Sequence, residues 1–189
     1  MAPVEATAQR IRAAALDLFL RRGFDAVTVE EVAAAAGVSH MTFFRYFPTK
    51  ESVVLTDPYD PMIAAAVAAQ DPGLAPLERV RRGFLAVTTQ MDDTEDAEAR
   101  ARVRLVAGHP RLRAGVWESN QATADAIEAA LVADGTSPFD ARVATGACLG
   151  AVTAALLDWG MVTDDGTLLD RVRRALDHLA LVPGDDGPA

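Results

Sequence analysis

Apolar residues recur every three or four positions along most of the chain, with polar residues between them. In the first such stretch, Ile11, Ala15, Leu18 and Phe19 fall on one stripe of a helix. Nine stretches follow this pattern, and none shows the strict alternation that is typical of a strand. We therefore predict an all-α protein. The predicted helices cover residues 7–22, 28–37, 39–47, 49–70 with an interruption at 57–61, 77–91, 94–107, 112–133, 138–161 and 167–181.

Residues 28–47 contain the start and stop sequences of two short helices. Thr28 and Glu31 have the spacing of a capping box, which begins the first helix. Gly37 suits a tight turn because glycine adopts a positive φ without steric cost. Ser39 is a good N-cap for the next helix, and Pro48 stops it. This order predicts a helix-turn-helix.

The predicted helix-turn-helix has an apolar inner side and a mixed outer side. The residues expected to face the core are Val32, Ala33, Ala36, Val38, Phe43 and Phe47. The residues expected on or near the outer face are His40, Met41, Thr42, Phe44, Arg45 and Tyr46. A helix with this face can enter the major groove of DNA, where arginine reads guanine and threonine or methionine meets a thymine methyl.

Two further residues are candidates for phosphate contacts. Lys50 is the only lysine in the chain and comes at the first turn of the next predicted helix, and Thr28 begins the helix before the turn. The alternative is a generic α-hairpin with a glycine turn, in which Arg45, Tyr46 and Lys50 are merely solvated. The whole block of residues, rather than any one of them, favours DNA binding.

Four motifs occur in order within residues 7–55. They are IRAAALDLF at 11–19, RGFDAVTV at 22–29, EVAAAAGVS at 31–39 and TFFRYFPTKE at 42–51. With these motifs the segment resembles the DNA-binding domain of the TetR family of transcriptional regulators. The resemblance implies that five residues approach DNA, two of them (Tyr46 and Lys50) chiefly through phosphates. The five are Thr28, Ser39, Thr42, Tyr46 and Lys50.

The segment departs from the family pattern at two places. Phe44 stands where the family most often has tyrosine, so a phosphate-bonding hydroxyl is missing there. His40 and Met41 occupy the variable start of the recognition helix, so no operator sequence can be inferred from the resemblance.

Charge divides the chain into two parts. The net charge of −9 argues at first against nucleic-acid binding. However, residues 1–50 carry six basic and five acidic side chains, whereas residues 51–189 carry 12 basic and 22 acidic ones. We therefore predict a DNA-binding domain over residues 1–50 and an acidic domain over residues 51–189 that is repelled by DNA.

Residues 56–181 resemble the effector-binding and dimerisation domain of TetR regulators. The resemblance implies that the last two helices, 138–161 and 167–181, form a four-helix interface between two protomers. Small residues in the first of them would permit close contact between helices, although they could instead pack within one subunit. These residues are Gly146, Ala147, Gly150, Ala151, Ala154 and Ala155.

Residues 102–113, RVRLVAGHPRLR, together with Trp159, resemble a narrower actinobacterial subgroup that responds to fatty acyl-coenzyme A or similar lipophilic ligands. We expect an apolar tunnel in this domain, and its predicted wall residues are Phe84, Trp117, Gln121 and Trp159. The alternative is that these side chains are simply core residues. Three arginines alternate around one helix, so at most two of them can face a ligand, and the rest are expected to pair with Glu95, Asp96 or Glu98. They are Arg100, Arg102 and Arg104.

Sequence features of an enzyme are missing. His40, His109 and His178 lie far apart, and none has a partner at a metal-ligand spacing. No glycine-rich phosphate loop or nucleophile elbow occurs. The single Cys148 excludes a disulfide scaffold, and its apolar neighbours favour a buried, inert thiol. We expect no catalytic residues, cofactor or metal site.

These observations favour a homodimeric repressor that a small lipophilic effector releases from a palindromic DNA operator. The start of the chain lacks a secretory pattern, and the apolar run at 143–157 is shorter than the roughly 18 residues that span a bilayer, so we expect a cytoplasmic protein with no membrane partner. One alternative is an activator, or a regulator controlled by a partner protein. Another is a helical lipid-binding protein or enzyme that retains the hairpin.

Overall fold

The computed structural model of the protein describes residues 3–57, 59–162 and 166–180. Within those ranges it contains eleven α-helices and no β-strand, which confirms the all-α prediction. The helices are α1 (Pro3–Arg22), α2 (Val29–Ala35), α3 (His40–Tyr46), α4 (Ser52–Leu55), α5 (Asp60–Ala68), α6 (Pro76–Thr88), α7 (Asp93–Gly108), α8 (Pro110–Ser119), α9 (Gln121–Ala133), α10 (Pro138–Met161) and α11 (Leu168–Asp177).

The interruption predicted within 49–70 is present, and the structure also divides the predicted helix 112–133. Between α4 and α5, the Asp57 carboxylate accepts a hydrogen bond of 3.0 Å from the backbone N–H of Tyr59, and this local turn competes with the helix. Asn120 separates α8 from α9, and asparagine has a low helix propensity because its side chain competes for backbone hydrogen bonds. The predicted stretches 49–70 and 112–133 are therefore each two helices.

Caps define several helix ends. The capping box predicted at Thr28 is present, and Asp92 and Thr167 form two more. His109 caps α8, because its imidazole Nδ1 accepts the backbone N–H of Leu112 at 3.4 Å. The end of the last predicted helix at residue 181, the tail at 183–189 and the acidic pairs at 164–165 and 185–186 lie outside the described residues.

The first of two compact units consists of Met1–Asp60, Asp92–Gln121 and Leu157–Thr163. It therefore joins the helix-turn-helix to α7, α8 and the end of α10. Helix α7 packs against α1 and α4, and α8 packs against α4 and α7. Its core contains buried residues of α1 to α4 together with two residues of α7 and α8: Ile11, Ala15, Phe19, Phe24, Val27, Val32, Ala33, Ala36, Phe43, Phe47, Val53, Val54, Val106 and Leu112.

The second unit consists of Pro61–Met91, Ala122–Leu156 and Asp164–Ala189. Helices α6 and α11 pack together there, and α5 approaches α6 so closely that a Cβ on Gly83 would lie 2.4 Å from Val67 Cγ2. The buried Arg79 guanidinium pairs with Asp134, with 2.5 Å between Nη2 and Oδ2. Cys148 is fully buried, as predicted, and burial raises the pKa of its thiol to about 12; its inertness stays a prediction.

Helix α10 is long and apolar enough to cross a membrane by length and composition, and no other helix in the described ranges meets both criteria. Its bounds are those of the predicted helix 138–161, and it extends on both sides of the apolar run at 143–157. A core helix of a soluble protein can meet the same two criteria, so this property alone carries little weight.

Candidate nucleic-acid interface

The start of α2 is held by a reciprocal cap. The Glu31 carboxylate accepts the backbone N–H of Thr28 at 2.8 Å, and the Thr28 hydroxyl accepts the backbone N–H of Glu31 at 3.3 Å. Arg22, at the end of α1, donates to the same carboxylate at 2.7 Å. These hydrogen bonds lower the pKa of the Glu31 carboxyl, the bond from the Thr28 backbone N–H more than the bond from Arg22. The cap therefore anchors α2 against the end of α1.

The turn between α2 and α3 depends on Gly37. Its φ of 65° lies in the left-handed region, where a side chain would be strained. The following residue, Val38, donates its backbone N–H to the carbonyl of Ala33 at 2.9 Å. This bond closes the turn and directs the chain into α3.

Two phenylalanines one turn apart attach α3 to the core. Phe43 and Phe47 are both buried, and their ring centroids lie 5.9 Å apart. Val32 and Ala33 of α2 are buried as well, which confirms the inner face predicted from the sequence. With one side of α3 fixed in this way, the opposite side faces solvent.

The outer side of α3 combines exposed apolar and polar groups. Met41 is 79% exposed and Phe44 is 39% exposed. The Arg45 guanidinium carbon lies 5.3 Å from the centroid of the Tyr46 ring. His40 and Arg45 are exposed, whereas Thr42 and Tyr46 are half-buried. All the residues that the sequence predicted for this face therefore reach the surface.

The Ser39 and Thr42 side chains bond to each other at the start of α3. Their hydroxyl oxygens are 2.9 Å apart, and Ser39 Oγ also accepts the backbone N–H of Thr42 at 3.1 Å. The same residue, Ser39, thus caps the helix and orients the Thr42 hydroxyl.

His40 begins α3 and lies beside α2. Its Nε2 is 3.3 Å from the Oε1 atom of Glu30, an exposed residue in the first turn of α2. Its ring also meets that of Phe44 in an edge-on arrangement, with centroids 4.8 Å apart. These two contacts orient the imidazole at the N-terminal end of α3.

Lys50 has contacts within the fold that the sequence did not indicate. Its ammonium donates to the carbonyls of Phe24 and Val27 at 2.8 and 2.9 Å. The nitrogen also lies 4.3 Å from the centroid of the Phe24 ring. An ammonium has three donors, and these two carbonyls use two of them. Lys50 therefore connects the segment after α3 to the link between α1 and α2.

A second pair of residues that sequence reasoning missed joins α8 to the same link. His109 Nε2 lies 3.1 Å from Asp25 Oδ2, and its ring packs edge-on against Phe24 at 5.1 Å between centroids. Because Asp25 and His109 are 84 positions apart, no local spacing pattern could have paired them.

The predicted tunnel-wall residues have different surroundings. Phe84 is buried in the core of the second unit, and the other three belong to the first. There Trp159 is fully buried, whereas Trp117 is 74% exposed. The Gln121 side chain is exposed and donates to the backbone carbonyl of Trp117 at 3.5 Å. Neither unit contains all four, and a ligand site along them stays a prediction.

Two arginines of α7 have contacts with other segments of the chain. The Arg100 guanidinium lies 5.3 Å from the centroid of Trp159 and donates to the carbonyl of Val162 at 3.4 Å. Arg102 pairs with Asp57 at 2.6 Å between Nη2 and Oδ2. For Arg102 the expected pairing with Glu95, Asp96 or Glu98 was therefore wrong, because a partner from the link before α5 lies closer.

No group of three or more histidine, cysteine or acidic side chains is arranged to hold a metal ion in the part of the chain that the structure describes. The arrangement assembled by α2 and α3 is instead a solvent-facing helix with donors, acceptors and apolar groups. Such a face can contact the edges of base pairs in a major groove.

Two family models match the chain. The model described as "Bacterial regulatory proteins, tetR family" matches residues 11–56, and the model described as "MftR C-terminal domain" matches residues 74–182. The second alone covers more than half of the 189 residues. Together they account for both the helix-turn-helix and the helices that follow it.

Named regulators resemble part of the chain. The HTH-type transcriptional regulator TcmR of Streptomyces glaucescens is 38% identical over 107 residues, which are 53% of this chain and 47% of TcmR. EthR of Mycolicibacterium smegmatis is 31% identical over 117 residues, 59% of this chain and 50% of EthR. The chain thus spans about half the length of these curated relatives.

A solved structure supports the fold along almost the whole chain. FadR of Thermus thermophilus, a TetR-family transcriptional repressor crystallised with lauroyl-CoA, has a TM-score of 0.54 at 24% identity, over 96% of this chain and 99% of its own. Family models and fold agree with the geometry of α2 and α3. The chain therefore belongs to the TetR family of bacterial transcriptional regulators.

Proposed function

We propose that this protein is a homodimeric repressor that places α3 in the major groove of a palindromic operator and leaves it when a small lipophilic effector binds. The observation that carries the proposal is the outer side of α3. Met41 and Phe44 are exposed there beside Arg45, although burial of large apolar side chains normally stabilises a fold. A bound DNA groove would cover these side chains.

The proposed contacts divide into two kinds. Arg45 reads guanine, and Met41 and Thr42 meet a thymine methyl, so these residues select the sequence. Other residues contact the DNA backbone and fix the position of the helix without selecting bases. Phe44 packs against sugar, and His40 lies beside these residues at the start of α3. The residues assigned to the DNA backbone are Thr28, Ser39, Tyr46 and Lys50.

The exposed side of α10 supports a homodimer. Phe139 and Val143 are 75% and 53% exposed, one turn apart. Farther along the same helix, no described atom lies within 4 Å of where a Cβ on Gly146 or Gly150 would be. A second copy of α10 could therefore approach this side closely. A two-fold axis through that contact would give the operator two symmetric half-sites.

A fatty acyl-coenzyme A is the proposed effector. The resemblance of residues 102–113 to acyl-coenzyme A regulators and the lauroyl-CoA bound to FadR support it. If the effector favours one arrangement of the helices and the operator favours another, each must weaken the binding of the other by the same factor. The protein would act in the cytoplasm, where both partners occur.

Selection from a random duplex library, followed by fluorescence anisotropy at two salt concentrations, tests DNA binding. We expect one palindromic sequence to be enriched and bound tightly at the higher salt. Arg45→Ala should lose about ten-fold or more in affinity for that sequence and relax the preference at one base pair per half-site. Arg82→Ala is the control, because it also removes an exposed arginine but lies on α6 in the second unit, away from the proposed faces of α3 and α10. Enrichment of no sequence would refute the proposal.

Titration calorimetry with lauroyl-CoA tests the effector. The affinity of the protein for this ligand should be weaker when the operator is present than when it is absent. Equal affinities would refute the coupling. Transcription in vitro from a promoter carrying the operator should fall when protein is added and recover with the ligand, whereas an increase on adding protein would identify an activator.

A further inference from the structure

A carboxylate and an imidazole meet at the exposed ends of α2 and α3. Glu30 is the second residue of α2, and His40 is the first residue of α3. Glu30 Oε1 lies 3.3 Å from His40 Nε2, and the two side chains are 69% and 51% exposed. The pair therefore lies in solvent on the helix-turn-helix, next to the outer side of α3.

The fold does not need Glu30 for its helix cap. The capping box of α2 uses the neighbouring Glu31, which is also the residue that Arg22 holds. The Glu30 carboxylate bonds to its own backbone N–H and to the Thr28 hydroxyl, and it also lies 3.3 Å from His40 Nε2 at the start of α3. A carboxylate in the first turn suits the positive end of the helix dipole, and the contact with His40 places this one beside the outer side of α3 as well.

The charge of Glu30 is well defined. Its own backbone N–H lowers the pKa of the carboxyl, and the Thr28 hydroxyl and His40 lower it further. The side chain is therefore ionised at neutral pH. Toward DNA, such a group repels the phosphates and lowers affinity for every sequence. It can be attractive only toward a hydrogen-bond donor on a base.

From this geometry, and resting on the proposed function, we infer that Glu30 and His40 form a base-reading pair in which the Glu30 carboxylate accepts a hydrogen bond from the N4 amino group of a cytosine. The donor edges in the major groove are cytosine N4 and adenine N6. On adenine, the amino group adjoins the N7 acceptor, whose lone pair would repel a carboxylate. On cytosine the neighbouring atom of the same base is a C–H group, so cytosine is the better partner.

His40 is the positioning residue of the pair. Its Nε2 lies 3.3 Å from one carboxylate oxygen, and the two oxygens of a carboxylate together have about four acceptor sites, so the contact with His40 does not prevent a bond to the base. The edge-on contact with the Phe44 ring holds the imidazole in this orientation. Removal of the imidazole should therefore leave the Glu30 side chain less well oriented. The preference for cytosine should become weaker, but cytosine should stay the preferred base.

Selection with the full chain tests the pair, using the wild type, Glu30→Gln and His40→Ala on the same random duplex library. The wild type should enrich cytosine at one position of each half-site by about ten-fold over the other bases. Glu30→Gln should shift that position toward adenine, because a carboxamide both donates to N7 and accepts from N6. His40→Ala should lower the enrichment of cytosine several-fold at the same position.

Glu118→Gln is the matched control, because it removes an equally exposed negative charge from α8. Its base preferences should equal those of the wild type. Circular dichroism should show the same thermal transition for all four proteins. This is expected because the substituted side chains are exposed.

Two results would overturn the pair while leaving the proposed function intact. In the first, Glu30→Gln selects the same sequence as the wild type with the same preferences. In the second, Glu30→Gln binds every duplex more tightly by one common factor, which would indicate simple repulsion of phosphates. Failure of the wild type to select any sequence would instead refute the proposed function itself.

Discussion

Helices α3 and α10 both expose large apolar side chains, but the residues around those side chains differ. Helix α3 has only seven residues, and Met41 and Phe44 stand there among hydroxyls, an imidazole and a guanidinium. Helix α10 has 24 residues, and Phe139 and Val143 stand there beside glycines whose surroundings are open. The mixed face suits a groove of base edges, whereas the smooth face suits another helix. The neighbours of an exposed apolar residue thus indicate which kind of partner it can contact.

The buried side of each helix differs as well. Helix α3 is attached to the core mainly by Phe43 and Phe47. Helix α10 is attached to the second core by a row of small or medium residues, Ala141, Ala144, Cys148 and Val152. We therefore expect the attachment of α3 to depend on a few large side chains, and the attachment of α10 to the second core to depend on many small contacts.

The largest effect on stability is expected on the buried side of α3, which can be compared with its exposed side. Phe43→Ala removes a fully buried ring and should lower the free energy of unfolding by about 3–5 kcal/mol. Phe44→Ala removes the exposed neighbouring ring and should change the free energy of unfolding by about 1 kcal/mol or less. Denaturant titration measures both. Phe44→Ala should nevertheless weaken operator binding, and equal stability losses for the two variants would contradict this division of α3.

Glycine substitutions should distinguish the inner contacts of the second unit from the outer side of α10. Gly83→Ala would place a Cβ 2.4 Å from Val67 Cγ2 and 3.0 Å from the Val67 backbone nitrogen, so we expect a loss of about 1–3 kcal/mol. Gly146→Ala meets no described atom, and its better helix propensity should stabilise a single protomer by up to about 1 kcal/mol.

The same Gly146→Ala variant tests the proposed dimer. If two copies of α10 pack closely at this position, the added methyl group should weaken their association although it stabilises each protomer. Analytical ultracentrifugation over a range of concentrations measures this. An unchanged dimer affinity would show that the interface lies elsewhere on the chain.

Lys50 should affect both folding and DNA binding. Lys50→Ala removes two charge-assisted hydrogen bonds to the carbonyls of Phe24 and Val27, so we expect a loss of about 2 kcal/mol in the free energy of unfolding. It should also reduce the slope of log affinity against log salt by about one per half-site. A reduced stability with an unchanged salt slope would make Lys50 purely structural.

The smallest effect is expected at Cys148, on the buried side of α10. Burial raises the pKa of this thiol to about 12, so at pH 8 almost none of it is the reactive thiolate in the folded protein. In the unfolded chain the pKa returns to its ordinary value near 8.5, and the fraction of thiolate rises. A thiol reagent should therefore react only as the protein unfolds. Fast reaction in native buffer would mean that this part of the core opens.

The sequence was sufficient for features that depend on short spacings. The T-x-x-E cap at Thr28, the glycine turn at Gly37 and the buried Phe43 and Phe47 all follow from residues within a few positions of one another. The outer face of α3 follows from the same periodicity. Local hydrogen bonds and helical geometry determine these features, so the pattern of residue types was enough to predict them.

Contacts between distant segments required the tertiary structure. The spacing of residues could not indicate that Lys50 bonds to the link after α1, that His109 reaches Asp25, or that Arg102 prefers Asp57 to the acids of its own helix. Nor could periodicity assign α7 and α8 to the same compact unit as the helix-turn-helix. Such pairings depend on how whole helices pack, and packing sums many weak contacts between positions far apart in the chain.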